Sequence, residues 1–241
     1  MRLFFRNNGL SIVLLLIFLG TMVGQTFTGL REHNETQRDH GAPTVTLGQY
    51  LKTGHFWEAT AENWESEFLQ MSMFVLLTAW LYQKGSAESK DPEGDEAVDN
   101  DPRLSRHDPD APWPVRRGGW VLWLYSHSLS LTFLALFLAS FAIHAAGGAR
   151  EYSQDQRQHG QPEVTTLQYM GTSRFWFESM QNWQSEFLSL LAMVVLTVFL
   201  WERGSPESKP VASPHWDSGE DDPKLIPVPV DGSRRPVAQP A

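Results

Sequence analysis

The stretch from Phe56 to Lys90, FWEATAENWESEFLQMSMFVLLTAWLYQKGSAESK, returns from Phe175 to Lys209 as FWFESMQNWQSEFLSLLAMVVLTVFLWERGSPESK. Every match sits at one constant offset: Trp57 pairs with Trp176, Asn63 with Asn182, Trp64 with Trp183, Glu67 with Glu186 and Gly85 with Gly204. The register runs upstream without a gap, through Arg31-Glu32 against Arg150-Glu151, His40-Gly41 against His159-Gly160 and Gln49-Tyr50 against Gln168-Tyr169. Roughly half the positions from Arg31 to Lys90 are identical in the two copies, far above chance. The chain therefore reads as a tandem duplication, to be taken one half at a time.

Each half opens on an apolar run. After a short basic start (Arg2 to Asn8), Leu10 to Phe27 supplies about the ~18 mostly apolar residues that a membrane-spanning helix needs. A cleaved leader would look similar. The corresponding segment of the second half, Leu122 to Ala146, is internal and cannot be a leader, so the first is read as a retained span. Polar loops follow, REHNETQRDHGAP and REYSQDQRQHGQP, and then Thr46-x-x-Gln49 and Thr165-x-x-Gln168. Both fit a capping box, in which hydroxyl and amide satisfy the free N–H groups of a helix start. A short helix is expected at each, broken near Gly54 and Gly171.

A second helix start at Thr53 or Thr172 then leads through Trp64 or Trp183 into the apolar runs Phe68 to Tyr82 and Phe187 to Trp201. These runs are shorter than the ~20 residues usual for a span. Trp64 and Trp80, like Trp183 and Trp201, lie ~24–27 Å apart at ~1.5 Å rise per residue, a spacing that puts aromatic rings in both headgroup belts. Lys84-Gly85 and Arg203-Gly204 end the runs as a cation at the negative helix terminus and a glycine suited to a left-handed cap.

The expected fold is all-α, with four transmembrane helices as two tandem parallel repeats of a helical hairpin, each with a short interfacial helix. Residues 1–90 form the first hairpin and 119–209 the second. Residues 91–118 form an acidic, Pro-rich linker and 210–241 a Pro-rich tail, both expected to be disordered, with at most a short docked piece at Leu225 to Val230. The N-terminus, linker and tail hold most of the 19 Lys and Arg residues. That bias places both termini in the cytoplasm and the hairpin loops outside. An even number of spans per half makes the repeats parallel.

Composition excludes several classes. The net charge is −9 with no basic groove, so nucleic acid is not an expected partner. With no cysteine there is no disulfide, thiolate metal site or thiol nucleophile. No G-x-S-x-G, P-loop, H-E-x-x-H or Gly-rich dinucleotide fingerprint occurs. No cofactor is expected, and an enzyme is the least favoured class.

The phrases NWESEFLQ and GSAESK, with the preceding LGQYLKTGHFWE, resemble an uncharacterised family of bacterial multipass membrane proteins, a domain of unknown function. The resemblance covers most of residues 5–90 and recurs in diluted form over 124–209. It implies a bacterial cell (inner) membrane location and carries no reaction, ligand or catalytic residue. The second copy departs at Phe177 for Glu58, Arg174 for His55 and Gln184 for Glu65, so those groups have no shared role in both halves.

Asn63 and Glu67, with Asn182 and Glu186, are four apart and share a helix face. A carboxylate at a membrane boundary can bind a cation or relay protons, and equally can sit among headgroups and orient its helix. Gln25 and His144 occupy matching depths, as hydrogen-bonding glue or as a pathway pair. Trp57 and Trp64, with Trp176 and Trp183, read as interfacial aromatic stripes. His40 and His159, near Glu32 and Glu151, are weak metal candidates, since no close ligand spacing such as H-x-x-x-H accompanies them. The favoured function is a membrane protein with a binding, scaffolding or envelope-associated role, its partners the lipid bilayer and a second copy or another membrane protein. The alternative is a small proton or cation channel or transporter, assembled as a homodimer.

Overall fold

The computed structural model describes residues 2–94 and 96–219, so the Leu225 to Val230 piece and the rest of the tail beyond 219 lie outside the described residues. Those residues are helical, with no strand among them. The helices are α1 (Arg2–Asp39), α2 (Leu47–Tyr50), α3 (Gly54–Thr78), α4 (Trp113–Arg117), α5 (Gly119–Ser126), α6 (Ser128–Gln158), α7 (Thr166–Met170) and α8 (Ser173–Phe199). Three of them, α1, α6 and α8, are long and apolar enough to cross a membrane. None of the apolar window of α1 is buried inside the protein, and only 22% of that of α6 and 11% of that of α8, exposed apolar surfaces compatible with a membrane. Helix α3 is not among the three; Glu58, Glu62, Glu65 and Glu67 crowd its first half.

The segments read as polar loops are helix instead. Both α1 and α6 run on past their apolar parts because the added residues (Arg31, Glu32, Glu35 and Gln37 in α1) are good helix formers. Each extension ends in a Schellman cap. Ala42 N–H donates to the Gln37 carbonyl at 2.8 Å with Gly41 at φ 67°, and Gln161 N–H to the Gln156 carbonyl at 2.8 Å with Gly160 at φ 68°. The next residues fold back: Asn34 exchanges bonds with the backbone of Val45 (2.9 and 2.7 Å), and Ser153 with that of Val164 (3.1 and 3.0 Å).

The chain divides into two compact units. The first comprises residues 1–72 and 131–186. Here α2 and α7 stop after one turn, and a threonine both closes them and caps the next helix. Thr53 donates to the Tyr50 carbonyl (2.7 Å) and accepts from Phe56 N–H (3.3 Å); Thr172 does the same with Tyr169 (2.6 Å) and Phe175 (3.3 Å). The start of α3 crosses α6 with almost no gap: a Cβ on Gly54 would lie 2.6 Å from the Gly147 carbonyl, and one on Gly147 would lie 2.7 Å from the Glu58 nitrogen. The Tyr169 ring lies over Gly148 and the Tyr50 hydroxyl over Gly29, where a Cβ would collide. Around Tyr169 and Phe175 packs an apolar cluster with Ala145 and Ala149 at its centre and Phe141 and Tyr152 against it.

Among the described residues the second unit comprises 73–130 and 187–219. Helices α3 and α8 end at Thr78 and Phe199, a few residues before Tyr82 and Trp201, and the GS-x-ES-K phrases then form clasps. Ser86 and Ser205 accept from the Glu88 and Glu207 amides (3.1 and 3.2 Å), while Ser89 and Ser208 accept from the Gln83 and Glu202 amides (2.7 and 2.9 Å). Lys209, nearly fully buried, donates to the carbonyls of Gly85 (2.8 Å), Pro214 (3.1 Å), His215 (3.1 Å) and Asp217 (3.2 Å). Between α3 and α4 lie 3-10 turns at Ala97–Asp99 and Pro102–Ser105. Lys90 reaches Asp99 at 2.7 Å, and Asp101 caps the second turn.

Candidate functional site

The first unit holds a chain of polar groups that one would not expect among apolar helices. At its centre His144, on α6, is fully buried and stacked on Phe175 with ring centroids 4.9 Å apart. Its Nδ1 lies 2.7 Å from Oε2 of Glu65, which is equally buried. The other oxygen of Glu65 accepts from Trp183 Nε1 at 3.0 Å. On the far side of the imidazole, Nε2 lies 3.6 Å from Oε2 of Glu178.

Glu178 is held by Arg174, four residues earlier on α8, at 2.8 Å, and accepts a short hydrogen bond from the Tyr169 hydroxyl. That hydroxyl also lies 3.1 Å from Glu58 Oε1, and Arg174 comes within 3.7 Å of the same oxygen. Burial and then the neighbouring carboxylates push the Tyr169 phenol far above its ordinary range, so it stays protonated. The connected sequence is Glu58, Tyr169, Glu178, His144, Glu65.

Glu58 and Arg174 open into a cavity of about 300 Å³ whose other walls include Glu32, His33, His55 and Glu151. His55 Nε2 is 3.0 Å from Glu32, its backbone N–H donates to Glu151 at 3.0 Å, and its Nδ1 lies 3.0 Å from the Tyr50 hydroxyl. Burial pushes that phenol up to about 12, with Glu32 and Glu151 adding to the effect. Titratable and hydrogen-bonding groups thus run from the cavity wall to Glu178, which stops 3.6 Å short of the imidazole.

The residues singled out from sequence fall into three groups. His144 is the centre of the network, while Gln25 donates to Thr60 at 3.2 Å and touches no ionised group there. Glu67 and Glu186 come within hydrogen-bonding reach of one another, and Gln70 donates to the Glu186 carbonyl at 2.9 Å. Asn182 donates to Glu62, whereas Asn63, exposed, bonds only its own helix at the Ala59 carbonyl (2.7 Å).

The tryptophans divide too. Trp57 donates to the Leu51 carbonyl (3.1 Å), Trp176 is exposed, Trp64 packs near Phe18, and Trp183 turns its N–H inward to Glu65. His40 and His159 meet with ring centroids 6.2 Å apart, but each Nδ1 sits 2.9 Å from a carbonyl of its own helix end. Among the described residues no three His, Asp or Glu gather as a metal ion would require.

Sequence reasoning missed Glu58, Glu65, Tyr169, Arg174 and Glu178. For all but Tyr169, which matches Tyr50, the signal was in the mismatches. Glu58, Glu65 and Arg174 are three positions where the copies differ in charge, and Glu178 answers Ala59.

Fold and site together define an all-helical protein with three helices able to span a membrane and a fully buried histidine–carboxylate pair. Residues 1–220 match the model of a family described as a domain of unknown function (DUF6766), and the chain belongs to that family. No curated protein and no solved structure matches it.

Proposed function

We propose that this is a bacterial inner-membrane protein of four spans that moves protons, alone or coupled to a solute, through the network centred on His144. The observation that carries this reading is the fully buried pair of His144 and Glu65, reached from the cavity by way of Glu58, Tyr169 and Glu178. Burying charge is expensive, and apolar side chains of similar volume would hold such helices together as well or better. Ionisable groups at membrane depth are retained for what they bind or transfer. Imidazole between carboxylates is suited to this, because it changes charge near neutral pH and can take a proton on one nitrogen while releasing one from the other.

In this reading α3 is the fourth span, with its glutamates facing protein and not lipid. The two repeats lie parallel, both termini are cytoplasmic, and α2 and α7 rest at the outer interface. The Glu67 and Glu186 carboxyls, next along the same two helices, continue the line of titratable groups. The lipid bilayer is the one obligatory partner, and a second copy would enlarge the interior of a small bundle; nucleic acid is not a partner.

The 300 Å³ cavity favours a second reading, in which a small polar molecule or an envelope component binds there without transport. Proteoliposomes separate the two. Under a pH gradient the wild type is expected to carry protons, and Glu65→Gln to lower the flux at least about tenfold, the usual scale for a general acid–base group. Flux absent from the wild type, or equal in the variant, removes the transport reading and leaves the binding one.

A further inference from the structure

Two buried side-chain atoms of the first unit have nothing to bond. His144 Nε2 has no hydrogen-bond partner, and Glu178 Oε2, at 3.6 Å, is beyond bonding distance. Ser179 Oγ, on the residue following Glu178, is fully buried and likewise unpaired. Among the described residues of the first unit these are the two buried side-chain atoms left in that state. Orphaned buried donors and acceptors are costly, and two in one unit call for an explanation.

The first copy provides the comparison. In the constant register Gln25 answers His144 and Thr60 answers Ser179, and there the pair is closed: Gln25 Nε2 donates to Thr60 Oγ1 at 3.2 Å. Serine is one methyl smaller than threonine, and the second copy has free hydrogen-bonding capacity. A polar contact stretched past about 3.5 Å is the spacing at which water bridges. A buried water needs two to four polar partners. His144 Nε2, Ser179 Oγ and Glu178 Oε2 make three.

We propose that these three groups form a niche for a single water molecule, and that protons reach Nε2 of the imidazole through it. The existence of the niche stands on the unpaired atoms; its purpose rests on the proton-relay reading. The tautomer that lets Glu65 accept from both Trp183 and His144 carries its proton on Nδ1 and a lone pair on Nε2. A protonated Glu178 gives its proton to the water as the water gives one of its own to Nε2: a carboxyl O–H and a water O–H break while a new water O–H and Nε2–H form, giving imidazolium between the Glu178 and Glu65 carboxylates. Release of the Nδ1 proton to Glu65 breaks Nδ1–H, forms a carboxyl O–H and leaves a neutral ring protonated on Nε2. Only one of the two halves has this arrangement, so each chain has one relay.

The test uses full-length protein in lipid bilayers, labelled with ¹⁵N-histidine, and magnetisation transfer from water read by solid-state NMR. His144→Gln identifies the His144 signal among the 8 histidines. The Nε2 resonance is expected to receive magnetisation from water despite its burial, and Ser179→Ala, removing one of three partners, to reduce that transfer at least about twofold. His144→Gln with Ser179→Thr copies the Gln25–Thr60 pair and is expected to close the niche and lose proton flux. No transfer to Nε2 in the folded wild type, or transfer unaffected by Ser179→Ala, overturns the niche. Transfer that is present, with no flux from wild-type proteoliposomes, upholds the niche and removes only the relay reading.

Discussion

At the scale of the residue, His144 and Glu65 matter because neither tolerates being left alone. Removing one partner of a buried pair strands the other, which costs about 3–5 kcal/mol, more than the intact pair contributes. His144→Ala is therefore expected to lower the unfolding midpoint in detergent sharply. The double change with Glu65→Leu should recover much of the loss; a double variant as unstable as the sum of the singles would mean the two do not act as a pair. A second prediction concerns Glu88, beyond the spans. Burial, and then the neighbouring Glu207 carboxylate, raise it above the ordinary carboxylate range. A raised carboxyl binds its proton more tightly in the folded state. Its contribution is thus complete at low pH and is lost as pH rises from the ordinary carboxylate value through the raised one. Thermal melts of the wild type across that window should fall relative to those of Glu88→Gln, and parallel curves would contradict the assignment.

Elements are positioned by backbone contact as much as by side chains. The crossing of α3 on α6 exists because Gly54 and Gly147 leave room for the opposing backbone, and backbone cannot rotate away as a side chain can. Gly54→Ala and Gly147→Ala should each cost about 1–3 kcal/mol, the range for overpacking, measurable as loss of thermal stability in detergent. Since that crossing also delivers Glu58 to Tyr169, both variants should weaken any flux through Glu65 beyond what their stability loss explains. Gly48, with open space around it, is the control, and Gly48→Ala should be near neutral. Capping boxes, the Thr53 and Thr172 restarts and the GS-x-ES-K clasps were readable as phrases because caps are local. The helical extensions after Gly29 and Gly148 were not. Their charged composition suits an exposed helix and a loop equally, and the choice falls to Schellman caps some ten residues further on.

For the whole molecule the question is how many helices cross the membrane. Three qualify by length and apolar content, and α3 does not. A cysteine-free chain makes the experiment direct. With four spans, Asp39→Cys should label from outside the cell, and Leu104→Cys, on a side chain 83% exposed, only from inside. Labelling of both positions from the same side would leave α3 outside the membrane and end the four-span proposal.

The repeated phrases, the apolar runs and the caps were in the sequence because each depends on neighbours a few residues apart. A helix and its ends are set by hydrogen bonds over one turn, and an apolar run needs no partner to be recognised. Pairing Glu65 with His144, and setting Tyr169 between Glu58 and Glu178, required contacts between residues distant along the chain. In the sequence all of those residues except Tyr169 stand out only as positions where two similar halves disagree. Burial turned that disagreement into chemistry: a glutamate beside a headgroup and a glutamate sealed against an imidazole are spelled alike, and only folding removes the water that makes them differ.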